Sequence, residues 1–332
     1  MLLHGKGGDI IEFRDKRTDI DVLWSSPHDW AAPSDAYPPS DSDSAWQAHY
    51  PGGWQQNLPL AGWGGSVSGV SYGTHGESAL VPWDATVVAD TDDRVVLELS
   101  TELVRYPLAL TRRVELEADS AVVRFEDEVV NEGAVPLEYI WQQHIALGPP
   151  LISPRSRLYL PPSVGHVEPS YPDNGGFEHA RLQADKSFEW PMAPTADGET
   201  LDLREFPLYD ATVHDQVYLT DFDDGWYAVS NPDLDLGFSL NFPESTFECL
   251  WYWQAFGGMT GSPFFGQNYN VGIEPTTAYP AGSIPEAQRE NDTIDTLAPG
   301  ERVRTRLTAV TYDPEGSVSE VAEEGDVKFE GA

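Results

Sequence analysis

At 332 residues the chain is long enough for one large all-β domain or two ordinary ones, and its 40% apolar content supports a sizeable core. That apolar share, with eleven Trp, fourteen Tyr and thirteen Phe, argues against an acidic disordered protein. The 55 acidic residues outnumber the 19 basic ones for a formal net charge of -36, so no basic patch exists to neutralise nucleic-acid phosphates.

Only four of the basic residues are lysines: Lys6, Lys16, Lys186 and Lys328. Self-repulsion on this scale destabilises a compact fold in dilute buffer. Molar salt shortens the screening length to about 3 Å and removes most of that cost. The surface therefore reads as adapted to a salt-rich cytoplasm. The single cysteine, Cys249, excludes an intrachain disulfide, and its setting in FECLWYW predicts a buried thiol. The start MLLHGKGGDI has no apolar signal core and no run approaches membrane length, so a cytoplasmic protein without membrane contact is expected.

In chain order, residues 9–24 read as a hairpin, DIIEF and DIDVLW around the charged turn RDKRT. Residues 25–60 are rich in Pro, Ser and Gly, with Trp30, Tyr37, Trp46, Tyr50 and Trp54. So long a loop in a compact chain is usually functional. Strand-like runs follow at RVVLELS from Arg94, LTRRVELEA from Leu110, AVVRFEDEVV from Ala121 and LEYIWQQHI from Leu137. Val95, Leu97 and Leu99 share one face, the period of a half-buried antiparallel strand. A looser stretch spans roughly 150–210. Strands resume with QVYLTDF, GWYAVS, LGFSLNF, FECLWYWQAF, YNVGIEP and RVRTRLTAVTY. No helical pattern of useful length, fixed-period repeat or composition break is visible. One antiparallel β-sandwich domain over 1–313 is expected, followed by a poorly ordered acidic tail over 314–332.

Three segments place polar residues where a ligand can use them. In GTHGE at 73–77, Gly73 and Gly76 flank His75, so the backbone can approach closely and leave the ring open. A turn histidine satisfied by backbone is the plainer reading. In WQQHIALGPP, Gln142 and His144 share a strand face close to a Gly-Pro-Pro break, where loops commonly carry function. A hydrogen-bonded core histidine fits equally well. In NYNVGIEPTT, Asn270, Gly272 and Glu274 share one face, and the glycine leaves room for a ligand beside the carboxylate. Partial desolvation by Val271 and Ile273 would raise the Glu274 pKa and suit a general base, whereas a surface glutamate before a proline turn is the plain alternative. The eight histidines show no HxH or HExxH spacing, and GWGGSVSG from Gly62 is a loop rather than a nucleotide cradle.

These segments, with GGWQQNLP from Gly52, PWDA from Pro82, VVNEGAVPLEY from Val129 and LAPGE before the last strand, resemble the galactose mutarotase (aldose 1-epimerase) superfamily over roughly residues 50–312. The resemblance implies a large antiparallel β-supersandwich that holds a monosaccharide or sugar derivative in an open cleft and needs no cofactor. It implies that Glu274 takes the anomeric proton, His144 protonates the ring oxygen, and His75 binds the sugar. The family's arginine has no counterpart in 55–74, where Gln55 or Gln56 stands in as a ligand to sugar hydroxyls. The family's hydroxyl-gripping aspartate falls on Asp215, and Trp54, Trp251 and Trp253 are available for stacking, although most such aromatics are core. The departures imply a divergent branch. A non-catalytic carbohydrate-binding protein on the same fold is the alternative, and a lyase or glycoside hydrolase is a third reading.

Overall fold

The computed structural model describes residues 1–27, 43–169, 177–282 and 284–331. Trp30 and Tyr37 therefore lie outside the described residues. Two antiparallel sheets dominate. The first has nine strands, in the order Leu2–Leu3, Asp9–Ile10, Trp54–Asn57, Gln142–Leu147, Tyr269–Thr276, Cys249–Phe256, Val213–Thr220, Val164–Val167 and Ser187–Glu189. The second has eight, in the order Arg157–Tyr159, Trp226–Asn231, Leu236–Asn241, Arg302–Tyr312, Val122–Asn131, Leu108–Glu117, Arg94–Glu102 and Asp84–Asp90. This is the all-β antiparallel sandwich expected from the short alternating runs.

The alternation does its work most plainly in Leu108–Glu117, where Leu108, Leu110, Arg112 and Val114 are buried while the residues between them are partly exposed. In Arg94–Glu102 the expected face is graded: Leu99 is buried and Val95 exposed. The run LEYIWQQHI divides into Leu137–Tyr139, which pairs with Asp295–Leu297, and Gln142–Leu147, which enters the large sheet. Trp54, Ile145, Val217, Val271 and Ile273 of the first sheet and Leu110, Phe125, Val129 and Leu307 of the second belong to one continuous core.

One polar bolt crosses this core. Arg112 donates to both carboxylate oxygens of Asp127, at 2.8 and 2.6 Å, and to Gln143 Oε1 at 2.7 Å. Gln143 Oε1 also accepts from Trp54 Nε1, whose ring lies under the guanidinium. The second sheet is thereby tied to the strand that carries His144.

Two short helices occur among the described residues, Asp43–Ala48 and Ile284–Glu290, each too brief to print a 3.6-residue period, in keeping with the expected lack of useful helix. Two expectations are corrected. In the N-terminal stretch, Arg14–Asp15 pairs with Ile20–Asp21, but Asp9–Ile10 joins the large sheet. The acidic tail is ordered: Val318–Val321 pairs with Val327–Phe329, and Val318 and Val321 pack on Trp226 and Ala228. Burial of those apolar side chains outweighs the surrounding charge.

Candidate functional site

Register in the large sheet lines polar side chains into one row. Ile10 pairs with Trp54, so Asp9 neighbours Gln55; Gln55 pairs with His144. Gln142 pairs with Thr276 and Ala146 with Gly272, which sets His144 across from Glu274. Residues directly opposite in a sheet share a face. Asp9, Gln55, His144 and Glu274 thus form a row across four strands, on the face turned away from the inter-sheet core. All four are buried.

His144 Nε2 lies 3.4 Å from Glu274 Oε1. Glu274 Oε2 accepts from Gln142 Nε2 at 2.9 Å, and Gln142 is itself oriented by Asn57 Nδ2 donating to its Oε1 at 2.8 Å. Oε1 is left as the glutamate's unengaged oxygen, and His144 Nδ1 is also without a partner. Burial pushes the Glu274 carboxyl well above the usual range and the His144 ring down to about 3. Both shifts favour the uncharged forms. The glycine expected to make room for a ligand makes room for the glutamate itself: a Cβ on Gly272 would stand 2.1 Å from Glu274 Oε1.

His75 joins the pair, its ring centroid 4.9 Å from that of His144. Gly62 N donates to His75 Nδ1 at 3.1 Å, so in the neutral ring the proton sits on Nε2. Burial, then His144, hold this ring well below the ordinary histidine value. Gly76 does permit close approach, since a Cβ there would lie 2.4 Å from Leu58 O. The ring is not open, however, because Trp46 packs on it at 4.3 Å.

The row is roofed by aromatics. Trp46 stacks on Tyr50 at 4.2 Å, and both rings meet His144 at 5.3 Å. Trp24, Phe264 and Trp253 complete the cluster. Trp251 pairs with Glu274 in the same row, and Trp253 donates to His214 Nε2.

Of the residues singled out in the sequence, Glu274, His144, Gln142, Gln55 and His75 come together. Trp54 and Asp215 do not. Trp54 alternates with Gln55 and points into the core against Phe125. Asp215 pairs with Gln254 on the face opposite Glu274, where Arg181 Nε holds it at 2.7 Å. Gln56 also faces away, accepting from Trp141 Nε1.

The sequence reading missed Lys6 and Asp9. Lys6 and Asp9 form a buried ion pair, and Gln55 Nε2 donates to Asp9 Oδ2 at 2.7 Å. Burial pushes the Lys6 pKa down and that of Asp9 up, each opposed by its partner. Asn57, Trp46 and Tyr50 were missed as site residues too. The signal available was the flagged aromatic loop and the polar run WQQN, whose lack of alternation hides its faces. Among the described residues no group of three or more His, Cys, Asp or Glu is placed to hold a metal ion, and no helix is long and apolar enough to cross a membrane.

Comparison with solved structures gives the fold. A provisionally assigned aldose 1-epimerase of Klebsiella pneumoniae superposes with a TM-score of 0.70 at 18% identity, covering 94% of this chain and 76% of the other. A second such assignment, from Escherichia coli, gives 0.60 at 17% identity over 93% and 94% of the two chains. A galactose mutarotase-like protein of Clostridium acetobutylicum gives 0.62 at 14% identity, covering 94% and 92%. No protein of curated function matches the sequence. The profile described as "Domain of unknown function (DUF4432)" matches residues 3–310. With nearly its whole length inside that match and its fold shared with galactose mutarotase-like proteins, the chain belongs to the DUF4432 family.

Proposed function

We propose that this protein interconverts the anomers of a free sugar by acid–base ring opening, as an aldose 1-epimerase does. The observation that carries the reading is the buried 3.4 Å contact of Glu274 Oε1 with His144 Nε2, with Glu274 fixed through Oε2 by Gln142, His144 packed among rings, and neither Oε1 nor Nδ1 in a hydrogen bond. Ring opening needs a base at the anomeric hydroxyl and an acid at the neighbouring ring oxygen. A carboxylate and an imidazolium in contact supply both within one pyranose.

The pair holds one proton throughout. As Glu274 carboxylate and His144 imidazolium it opens the ring: Oε1 takes the anomeric proton while Nε2 delivers one to the ring oxygen. The groups emerge as carboxylic acid and neutral imidazole, the forms that burial favours. After rotation about the C1–C2 bond, the Glu274 carboxyl returns its proton to the carbonyl oxygen while His144 Nε2 takes one back from the C5 hydroxyl, and the other anomer closes. Each positioned proton donor or acceptor contributes about 10²–10⁴-fold. His75 offers its Nε2–H to the oxygen on which charge develops.

Trp46 and Tyr50 must swing aside to admit a sugar, and their faces then suit its apolar C–H surface. Polarimetry on freshly dissolved anomers of glucose, galactose, xylose and uronic acids tests the reading. Wild type should accelerate at least one. Binding by calorimetry without acceleration of any would make this a carbohydrate-binding protein instead.

A further inference from the structure

The two carboxylates of the polar row are held alike. Glu274 has Oε2 fixed by the amide of Gln142, and Asp9 has Oδ2 fixed by the amide of Gln55. The remaining oxygen of each, Oε1 and Oδ1, is buried without a hydrogen-bond partner. Each of these oxygens lies against a glycine: a Cβ on Gly272 would stand 2.1 Å from Glu274 Oε1, and one on Gly7 2.2 Å from Asp9 Oδ1. His144 stands between the two carboxylates in the row. Gln55 Oε1, between Asp9 and His144, is likewise unpartnered.

Buried polar atoms left without partners cost free energy, and a protein keeps few of them. Here the two beyond His144 are both acceptors. They call for hydroxyl donors. The cation nearby, Lys6, is already engaged with Asp9, so an anionic group arriving there would meet two unpaired oxygens in a dry site.

Accepting the proposed roles of Glu274 at the anomeric hydroxyl and His144 at the ring oxygen, the order of strands fixes how the sugar lies. The ring atom beyond the ring oxygen is C5. Its substituent therefore runs along the row toward Gln55 and Asp9. Neighbouring strands are about 4.8 Å apart, so a hydroxymethyl arm and its hydrogen bond span from the His144 strand to Gln55, against which the Asp9 carboxylate of the next strand is drawn by its 2.7 Å hydrogen bond. We propose that Asp9 Oδ1 and Gln55 Oε1 are a specificity subsite for the C6 hydroxyl of a neutral hexose, with Lys6 as the positioning residue that holds Asp9.

Calorimetry on the wild-type protein tests this with matched ligands: galactose, glucose and mannose against their 6-deoxy forms, xylose, and the hexose 6-phosphates. At least one hexose should bind, with its 6-deoxy partner weaker by about tenfold or more, because loss of the hydroxyl removes the one donor these acceptors would share. Equal affinity for such a pair, preference for xylose or a 6-phosphate, or no binding by any hexose overturns the proposal. Asp9→Asn should weaken the hexose by about tenfold and leave its 6-deoxy partner unchanged; a purely structural role would weaken both alike. The double variant Lys6→Met with Asp9→Asn, which removes both charges of this buried pair, should show the same selective loss. The two readings separate cleanly: a hexose preference without anomer turnover would sink the acid–base function and leave this subsite standing.

Discussion

Gly272→Ala is the smallest change that should uncouple the site from the fold. Gly272 lies mid-strand, and its backbone is outside the left-handed region, so alanine meets no conformational barrier. The added Cβ would nevertheless stand 2.1 Å from Glu274 Oε1 and 2.9 Å from its Cδ, well inside the 3.4 Å of ordinary contact. Trp253 Cε3, at 3.1 Å, blocks escape on one side. The carboxylate must therefore move by about 1 Å, a displacement that can cost about 100-fold in turnover. Stability should fall by no more than about 2–3 kcal/mol, so the protein stays folded. Crowding costs about 1–3 kcal/mol, partly offset by the 0.4–1 kcal/mol that alanine contributes by restricting the unfolded chain. The assay pairs polarimetric turnover with thermal unfolding. A folded Gly272→Ala protein with turnover close to wild type would refute the claim that this glycine sets the position of the base.

Further outcomes follow from the same structure. Arg112→Met leaves Asp127 buried without its cation and should cost about 3–5 kcal/mol in urea unfolding; a change near zero would show the bolt to be dispensable. Burial holds His75 and His144 below the ordinary value, so the unfolded chain binds more protons than the folded one once the pH drops below about 6.5. Stability contributed by His144 is thus complete above pH 6.5 and is lost on acidification toward about 3, by at most about 1.4 kcal/mol per pH unit. Glu274, whose pKa is raised, works in the opposite sense, so the informative comparison is wild type against His144→Asn, which should lose stability less steeply between pH 6.5 and 5; parallel curves would contradict it. The net charge of -36 predicts a thermal midpoint that climbs from low to molar KCl. A flat midpoint would rule out salt adaptation.

The sandwich was legible because several strands of its second sheet are half-buried: Leu108–Glu117 prints its alternation in the sequence. Glu274 and His144 were legible for another reason, the glycine beside the one and the Gly-Pro-Pro break after the other, since their own strands are buried almost throughout. The central strands are different. Val213–Thr220 and Cys249–Phe256 are buried throughout, so period two carries no inside or outside, and only the register shows that Asp215 turns from the site while Trp253 turns toward it. Trp54 and Gln55 were separable only by the same means. Lys6 and Asp9 were invisible, since a charged pair near a chain start reads as solvated until tertiary contacts bury it. The ordered tail was hidden by its acidity, although Val318, Val321, Val327 and Phe329 carry a short apolar pattern that the hairpin uses.

Exchange spectroscopy on the anomeric protons of an equilibrated sugar tests the central claim most directly, because it reads ring opening and reclosure with no change in composition. The measurement compares wild type with Glu274→Gln, whose amide keeps the shape and the Gln142 contact but takes no proton. The account predicts cross-peaks between the α and β protons that wild type strengthens and Glu274→Gln does not, while both proteins bind the sugar. Equal exchange by the two proteins would contradict it.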